Sequence, residues 1–250
     1  MRFTLLHLYP ARMNLYGDRG NVLCLKRRLE WRGFDVTVEA VEPGQPVDWT
    51  RPDLVFMGGG EDRHQAMIAE DFLGRATELR SALEDGPPLL AICGAFQMLG
   101  SSYVTADGRT LPGVRYLDIE TRAGEDRCVG NVLVEPIMPG LPDSLVGFEN
   151  HGGRTVLGSR QEALGRVVRG YGNNGDDGLE GAVRDHVVGT YLHGSLLPKN
   201  PALADLLLSW SLARRTGDGR LEPLDDSVER QAHDWVAAAI RRGDPVADPG

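Results

Sequence analysis

The chain has 250 residues, of which 41% are hydrophobic and 25% charged, the composition of a globular protein with enough apolar side chains for a sizeable core. Its formal net charge of −9, from 27 basic and 36 acidic residues, argues against a non-specific grip on nucleic acid or anionic lipid. No apolar run approaches the roughly 18 residues of a membrane span, and the N-terminus does not have the pattern of a signal peptide. Three cysteines at no metal-like spacing, Cys24, Cys93 and Cys128, favour a reducing compartment, so we expect a cytoplasmic protein.

Strand-like and helix-like segments alternate through the first 100 residues. Apolar runs or alternating patterns predict strands at 3–9, 34–41, 53–57 and 89–92. Spacings of three and four predict helices over 21–34, over a segment with Phe72, Ala76, Leu79 and Leu83 on one face, and over 94–100. This order predicts βαβ units, and hence an α/β fold with a mostly parallel sheet flanked by helices.

The pattern changes after residue 103. Strand-like pieces separated by Gly, Asn and Asp, such as VRYLDIE (114–120) and NVLVEPI (131–137), predict antiparallel strands added to the parallel core, and helical periodicity returns from Asn200. No repeat or low-complexity linker divides the chain. We therefore expect a single domain over residues 1–242 and a disordered tail over 243–250.

One cysteine stands between a predicted strand and a predicted helix, in AICGAFQMLG (91–100). A nucleophile on such a turn needs small neighbours two residues before and after it, and Ala91 and Ala95 occupy those positions around Cys93. A helix N-terminus would favour the thiolate, and the N–H of Gly94 would be placed to bind an oxyanion. The alternative is an ordinary buried thiol, because free cysteine is among the most buried residue types.

Two further features favour a catalytic thiol. The glycines Gly58–Gly60 follow the neighbouring predicted strand, and the C-terminal ends of parallel strands share the edge of the sheet where ligands bind. Of six histidines, His193 directly follows the strand-like segment VVGTYL, so it could reach the thiol as a base. Taken singly, a plain βα turn and a half-buried histidine would explain these features.

Six short motifs occur in this order along the chain: LYGDRGN (15–21), GGGEDRHQA (58–66), ICGAFQMLG (92–100), GFENHGGRT (147–155), GYGNN (170–174) and GTYLHGSLLPKNP (189–201). Together they resemble the glutaminase (GatD) subunits of lipid II isoglutaminyl synthase, which are CobB/CobQ-like class I glutamine amidotransferases with a flavodoxin-like fold. The resemblance implies that Cys93 attacks the side-chain amide of glutamine and that His193 serves as base and then acid. It also implies an oxyanion hole at Gly59 and Gly94, and an arginine, Arg127, that holds the glutamine.

The wider class usually carries a glutamate two residues after the histidine, where this chain has Ser195. The GatD-like branch also lacks it, so the resemblance implies a Cys93–His193 dyad, and a distant carboxylate such as Glu149 is left open as a third member. The acidic loop NNGDDGLEG contains Asn-Gly and Asp-Gly pairs, which favour a turn over a metal site.

Amidation of a carboxylate needs ATP, and the chain has no GxxxxGK[ST] loop. The resemblance implies that a Mur-ligase-like (MurT-type) partner supplies ATP and Mg²⁺ and passes ammonia to the α-carboxyl of D-glutamate in lipid II, with no cofactor in this chain. Two alternatives remain open, an amidotransferase subunit for another acceptor such as a corrinoid carboxylate, and a catalytically silent regulatory subunit.

Overall fold

The computed structural model describes residues 1–60, 62–84, 86–141, 144–194 and 196–243. Ser195 and residues 244–250 of the predicted tail lie outside this range.

Strands and helices alternate in the first part of the described chain, and strands dominate its middle. The strands are β1 (Arg2–Leu8), β2 (Asp35–Val41), β3 (Leu54–Met57), β4 (Leu89–Ile92), β5 (Ser102–Val104), β6 (Thr110–Pro112), β7 (Ile119–Pro136), β8 (Leu145–Leu157), β9 (Gly165–Arg169), β10 (Leu179–Glu180), β11 (Ala182–Arg184) and β12 (Val187–Thr190). The helices are α1 (Arg19–Glu30), α2 (Asp62–Gly74), α3 (Ala76–Glu84), α4 (Gly94–Met98), α5 (Leu196–Lys199), α6 (Pro201–Thr216) and α7 (Ser227–Arg242), and a short 3₁₀ turn covers Leu15–Gly17.

The first sheet has the strand order β11-β12-β4-β3-β1-β2. Every neighbouring pair is parallel except β11 with β12. The apolar runs of β3 and β4 are buried at every position, as expected for central strands of a parallel sheet. This mostly parallel sheet, with helices and added antiparallel strands, confirms the predicted fold class.

The register of the three central strands brings their C-terminal ends to one level. Met57 pairs with Ala91, and Ile92 pairs with Thr190. The chain therefore leaves β3, β4 and β12 at the same edge of the sheet, and whatever follows these strands meets there.

The second sheet has the order β10-β9-β7-β5-β6, with β8 paired to β7. The long β7–β8 ribbon is antiparallel, and its register shifts between Ala123 and Cys128 because residues 124–127 bulge out opposite Gly152. A backbone bridge between Phe148 of β8 and His193 joins this sheet to the edge of the first. The ribbon therefore lies beside the C-terminal ends of β4 and β12.

Two sequence predictions need correction. The proposed strand 114–120 begins only at Ile119, because the N–H groups of residues 114–117 donate to carbonyls of Met98, Leu99 and Gly100. The single helical face from Phe72 to Leu83 is divided between α2 and α3 at Arg75. The apolar pattern alone shows neither the backbone hydrogen bonds of residues 114–117 nor the break between the two helices.

One main cluster of buried apolar side chains extends along the chain from Phe3 to Leu212. A second, smaller cluster packs Val236 and Ile240 of α7 against Leu133 and Val146 of the second sheet. This packing supports the prediction of a single domain over 1–242, which stays a prediction.

Candidate active site

Cys93 forms the turn between β4 and α4. Its backbone has φ 52° and ψ −105°, a conformation that residues other than glycine rarely adopt. Such strained conformations occur preferentially at functional positions. The small neighbours Ala91 and Ala95 are buried, and the Cys93 side chain is close to fully buried. The geometry is the strand-to-helix turn that the sequence predicts, although α4 is only five residues long, so its dipole is weaker than that of a full helix.

His193 lies beside this turn, three residues after β12. Its backbone N–H donates to the carbonyl of Phe148 at 2.7 Å, and its side chain is fully buried. A Cβ added to Gly59 would stand 2.4 Å from His193 Cε1 and 3.3 Å from Cys93 Cβ. Gly59 therefore packs against both side chains, and the shared edge of β3, β4 and β12 brings all three residues together as predicted.

Asp18 is the carboxylate that sequence reasoning missed. Its Oδ1 lies 3.2 Å from His193 Nδ1, its Oδ2 accepts the N–H of Gly59 at 2.6 Å, and it is fully buried. Glu149, the residue considered from sequence, instead accepts the N–H groups of Tyr171 and Gly172. Asp18 belongs to LYGDRGN, one of the six short motifs, and that membership was the available signal.

The buried carboxylate changes the charge of the imidazole. Burial alone would lower the pKa of His193, but the charges of Asp18 and Cys93 and the hydrogen bond to Asp18 outweigh it and raise the pKa to about 10. Cys93 is close enough to the ring to act on it electrostatically. This direction favours the imidazolium form at neutral pH, with Asp18 on its Nδ1 side.

The two glycines of the predicted oxyanion hole lie on either side of the thiol. A Cβ added to Gly94 would stand 2.8 Å from Gln65 Nε2 and 3.1 Å from Gly60 O, so this position is tightly packed. The Gly59 N–H is bound by Asp18 in this structure. For Gly59 to bind an oxyanion, its N–H would have to leave the carboxylate, so its role stays a prediction.

Arg127 lies on the bulged segment of β7 and lines a cavity of about 400 Å³ that Cys93 also lines. β-Bulges commonly re-aim side chains next to active sites. The volume is within the range of small-ligand pockets. Arg127 donates from Nε and Nη2 to Asn150 Oδ1 at 2.9 and 2.7 Å. The structure therefore brings the predicted glutamine-binding arginine into the same cavity as the thiol.

A larger cavity, of about 760 Å³, lies between α6 and α7 and contains none of the predicted site residues. Two of its polar side chains contact each other, since Ser144 Oγ lies 2.9 Å from His233 Nε2. The acidic loop between β9 and β10 is a turn, in which Asn174 Oδ1 accepts the N–H groups of Asp176 and Asp177. The predicted residues Cys93 and Arg127 therefore line the smaller cavity and not the larger one.

The other two cysteines have pKa values raised by burial, which disfavours the reactive thiolate. No helix in the described ranges is both long and apolar enough to cross a membrane.

Comparison with known proteins gives three findings. Residues 4–201 match the model of the CobB/CobQ-like glutamine amidotransferase domain. The chain is 38% identical over 231 residues to the lipid II isoglutaminyl synthase (glutamine-hydrolyzing) subunit GatD of Staphylococcus aureus, covering 92% of both chains, and 35% identical over 226 residues to a cobyric acid synthase of Pelotomaculum thermopropionicum, covering 80% of this chain and 41% of that protein. A crystal structure of a glutamine amidotransferase superposes with a TM-score of 0.55 at 20% identity, covering 82% of this chain and 98% of that one, which supports the fold.

Proposed function

Since the chain belongs to the family of CobB/CobQ-like glutamine amidotransferases, we propose that Cys93 and His193 hydrolyse glutamine and that the ammonia serves a separate, ATP-using partner that amidates lipid II. The observation that supports this chemistry is the fully buried imidazole of His193, which lies between Asp18 and the Cys93 turn. Cys93 and Arg127 line the same cavity.

In the first half-reaction, the thiolate of Cys93 attacks the side-chain carbonyl of glutamine and a C–S bond forms. The imidazolium of His193 then donates a proton to the amide nitrogen, the C–N bond breaks, and ammonia leaves a γ-glutamyl thioester. Asp18 holds Nδ1 and keeps Nε2 directed at the reacting atoms, the role that a carboxylate has beside a catalytic histidine.

In the second half-reaction, neutral His193 accepts a proton from water, and the hydroxide attacks the thioester. The C–S bond breaks, glutamate leaves, and the thiolate and imidazolium are restored. The N–H of Gly94 and, once it is released from Asp18, that of Gly59 would stabilise the oxyanion of both tetrahedral intermediates. Arg127 would bind the α-carboxylate of glutamine through its guanidinium.

The relatives support a proposal for the acceptor. The similarity to the GatD subunit extends over nearly the full length of both chains, whereas the cobyric acid synthase is matched over less than half of its length. We therefore propose the α-carboxyl of D-glutamate in the lipid II stem peptide as the acceptor, a MurT-type Mur-ligase-like subunit as the heterodimer partner, and ATP and Mg²⁺ bound by that partner. A corrinoid carboxylate is the second candidate, because the cobyric acid synthase is also a relative.

The test measures glutamate release and lipid II amidation by the purified chain, alone and with a Mur-ligase-like partner, ATP and lipid II. Wild type should release glutamate and, only in the full mixture, amidate lipid II. The proposal is falsified if Cys93→Ala supports glutamine-dependent amidation at the wild-type rate.

Cys128→Ala is the matched control, because that thiol is also buried but lies in β7, and it should leave the activity unchanged. Failure of a chloroketone analogue of glutamine to label Cys93 would favour the catalytically silent alternative. Co-purification with a corrinoid-amidating protein would favour the second acceptor.

A further inference from the structure

The turn before α1 carries a tyrosine that no sequence argument singled out. Tyr16 has φ 50° and ψ 34°, a left-handed backbone conformation that is uncommon and unfavourable for residues other than glycine. The turn is tied to the Gly58–Gly60 segment at both ends, by Leu15 N–H to Gly59 O at 3.2 Å and by Gly59 N–H to Asp18 Oδ2 at 2.6 Å. The fold therefore maintains an unfavourable conformation at a fixed place beside the candidate site.

The ring of Tyr16 packs on the imidazole. Its centroid is 5.1 Å from that of His193 in an edge-to-face arrangement, and it meets Phe148 in the same way at 6.1 Å. Tyr16 is 43% exposed, whereas His193 is fully buried. Tyr16 therefore forms part of the cover between the imidazole and solvent.

The hydroxyl of Tyr16 reaches the other side of the cavity. It accepts a hydrogen bond from Asn150 Nδ2 at 2.7 Å. The Oδ1 of Asn150 accepts both Nε and Nη2 of Arg127, and its backbone carbonyl accepts Nη2 again at 3.0 Å. A continuous chain of contacts thus runs from His193 through Tyr16 and Asn150 to Arg127, and all but the histidine line the cavity that contains Cys93.

We propose that Tyr16 and Asn150 are positioning residues that hold the guanidinium of Arg127 in the orientation that receives the α-carboxylate of glutamine. This inference rests on the proposed function of the Cys93 cavity. The contacts to Asn150 use Nε and Nη2, and Nη1 lies on the side of Gly152, where an added Cβ would stand 3.8 Å from it. The amide of Asn150 is neutral, so it orients the guanidinium without cancelling the charge that the substrate needs.

The first variant is Tyr16→Phe, which keeps the ring on His193 and removes only the hydroxyl. Glutamate release by the chain in complex with its partner should show a KM for glutamine raised about fivefold, the value of one neutral hydrogen bond, with kcat within about twofold of wild type. Tyr171→Phe is the matched control, because Tyr171 is similarly exposed at 47% but lies outside this cavity. It should leave both constants unchanged.

The second variant is Asn150→Asp, which keeps the size of the side chain and adds a negative charge against Arg127. A merely structural role would tolerate this nearly isosteric change. A positioning role predicts a rise of at least about tenfold in KM, because the new carboxylate pairs with the guanidinium and repels the substrate carboxylate. With the chloroketone analogue of glutamine, the concentration for half-maximal labelling of the isolated chain should rise in parallel, and the maximal labelling rate should change little.

An unchanged KM in both variants, or a loss confined to kcat, would overturn the inference. The proposed function would still stand if glutamate release depended on Cys93. Glutamate release that persists in Cys93→Ala would remove the proposed function itself, so the two failures are distinguishable.

Discussion

Asp18 Oδ1 lies 3.2 Å from His193 Nδ1, although 175 residues separate the two in sequence. Both side chains are fully buried, so the carboxylate faces the imidazole in a medium that screens charge poorly. The pair adds a carboxylate beside the proposed Cys93–His193 dyad, and it makes the protonation state of His193 depend on Asp18.

The first prediction concerns Asp18→Asn. Removal of the negative charge should lower the pKa of His193 from about 10. The imidazolium, which in the proposed mechanism protonates the amide nitrogen of glutamine, would then lose its proton at a lower pH than in wild type. We expect glutamate release to fall at least about 100-fold, as when the orienting carboxylate of a catalytic triad is neutralised. The basic limb of the pH–rate profile should also move to lower pH.

Glu149→Gln is the control for this variant, because Glu149 is equally buried but bonds the backbone of Tyr171 and Gly172. Its pH–rate profile should retain the wild-type basic limb. A basic limb that stays in place in Asp18→Asn would contradict the assignment.

The second prediction concerns stability. The pKa of His193 is about 10 in the folded chain and near its ordinary value of 6.5 when unfolded, so the native state binds an extra proton between these values. The resulting stabilisation is complete below about pH 6.5 and is lost as the pH rises towards 10. Urea unfolding should therefore show a free energy of unfolding that declines over this range in wild type and declines less steeply in His193→Gln. If the free energy of unfolding declined equally in the two proteins, the raised pKa of His193 would be refuted as the cause.

The residues that could be predicted from sequence share one property. Cys93 and His193 each follow an apolar strand and precede a glycine, so a local pattern contains their position. The parallel order of the strands then brings them together. Asp18 could not be assigned in this way, because it follows a left-handed turn and only the completed sheet places it against His193. The bulge that presents Arg127 is likewise absent from the period-two pattern of β7, since it depends on the register with β8.

The third prediction concerns Gly59→Ala. Its Cβ would stand 2.4 Å from His193 Cε1, so the imidazole would have to move away from Asp18 or the turn would have to open. We expect loss of most glutamate release, measured alongside circular dichroism to verify the fold. Gly74→Ala is the control, because nothing lies within 4 Å of a Cβ at that position, and it should leave activity and stability close to wild type. Equal activity in the two variants would show that the structure accommodates the Cβ at Gly59 without disturbing His193.

The fourth prediction concerns a buried arginine remote from the thiol. Arg28 of α1 is 1% exposed and donates to Asp205 of α6 and to Asp226 before α7, with contacts from 2.7 to 3.0 Å. In Arg28→Met the two carboxylates would lose their shared partner, and breaking a buried ion pair typically costs about 3–5 kcal/mol. We expect a loss of this size in the free energy of unfolding measured with urea.

Arg2→Met is the matched control, because it removes an ion pair with Asp35 whose side chains are 73% and 64% exposed. Its effect should stay below about 1 kcal/mol. Equal effects of the two substitutions would mean that neighbouring groups, such as Arg32 beside Asp205, compensate for the missing guanidinium. The attachment of α1 to α6 and to the segment before α7 would then be stabilised chiefly by apolar packing and not by charge.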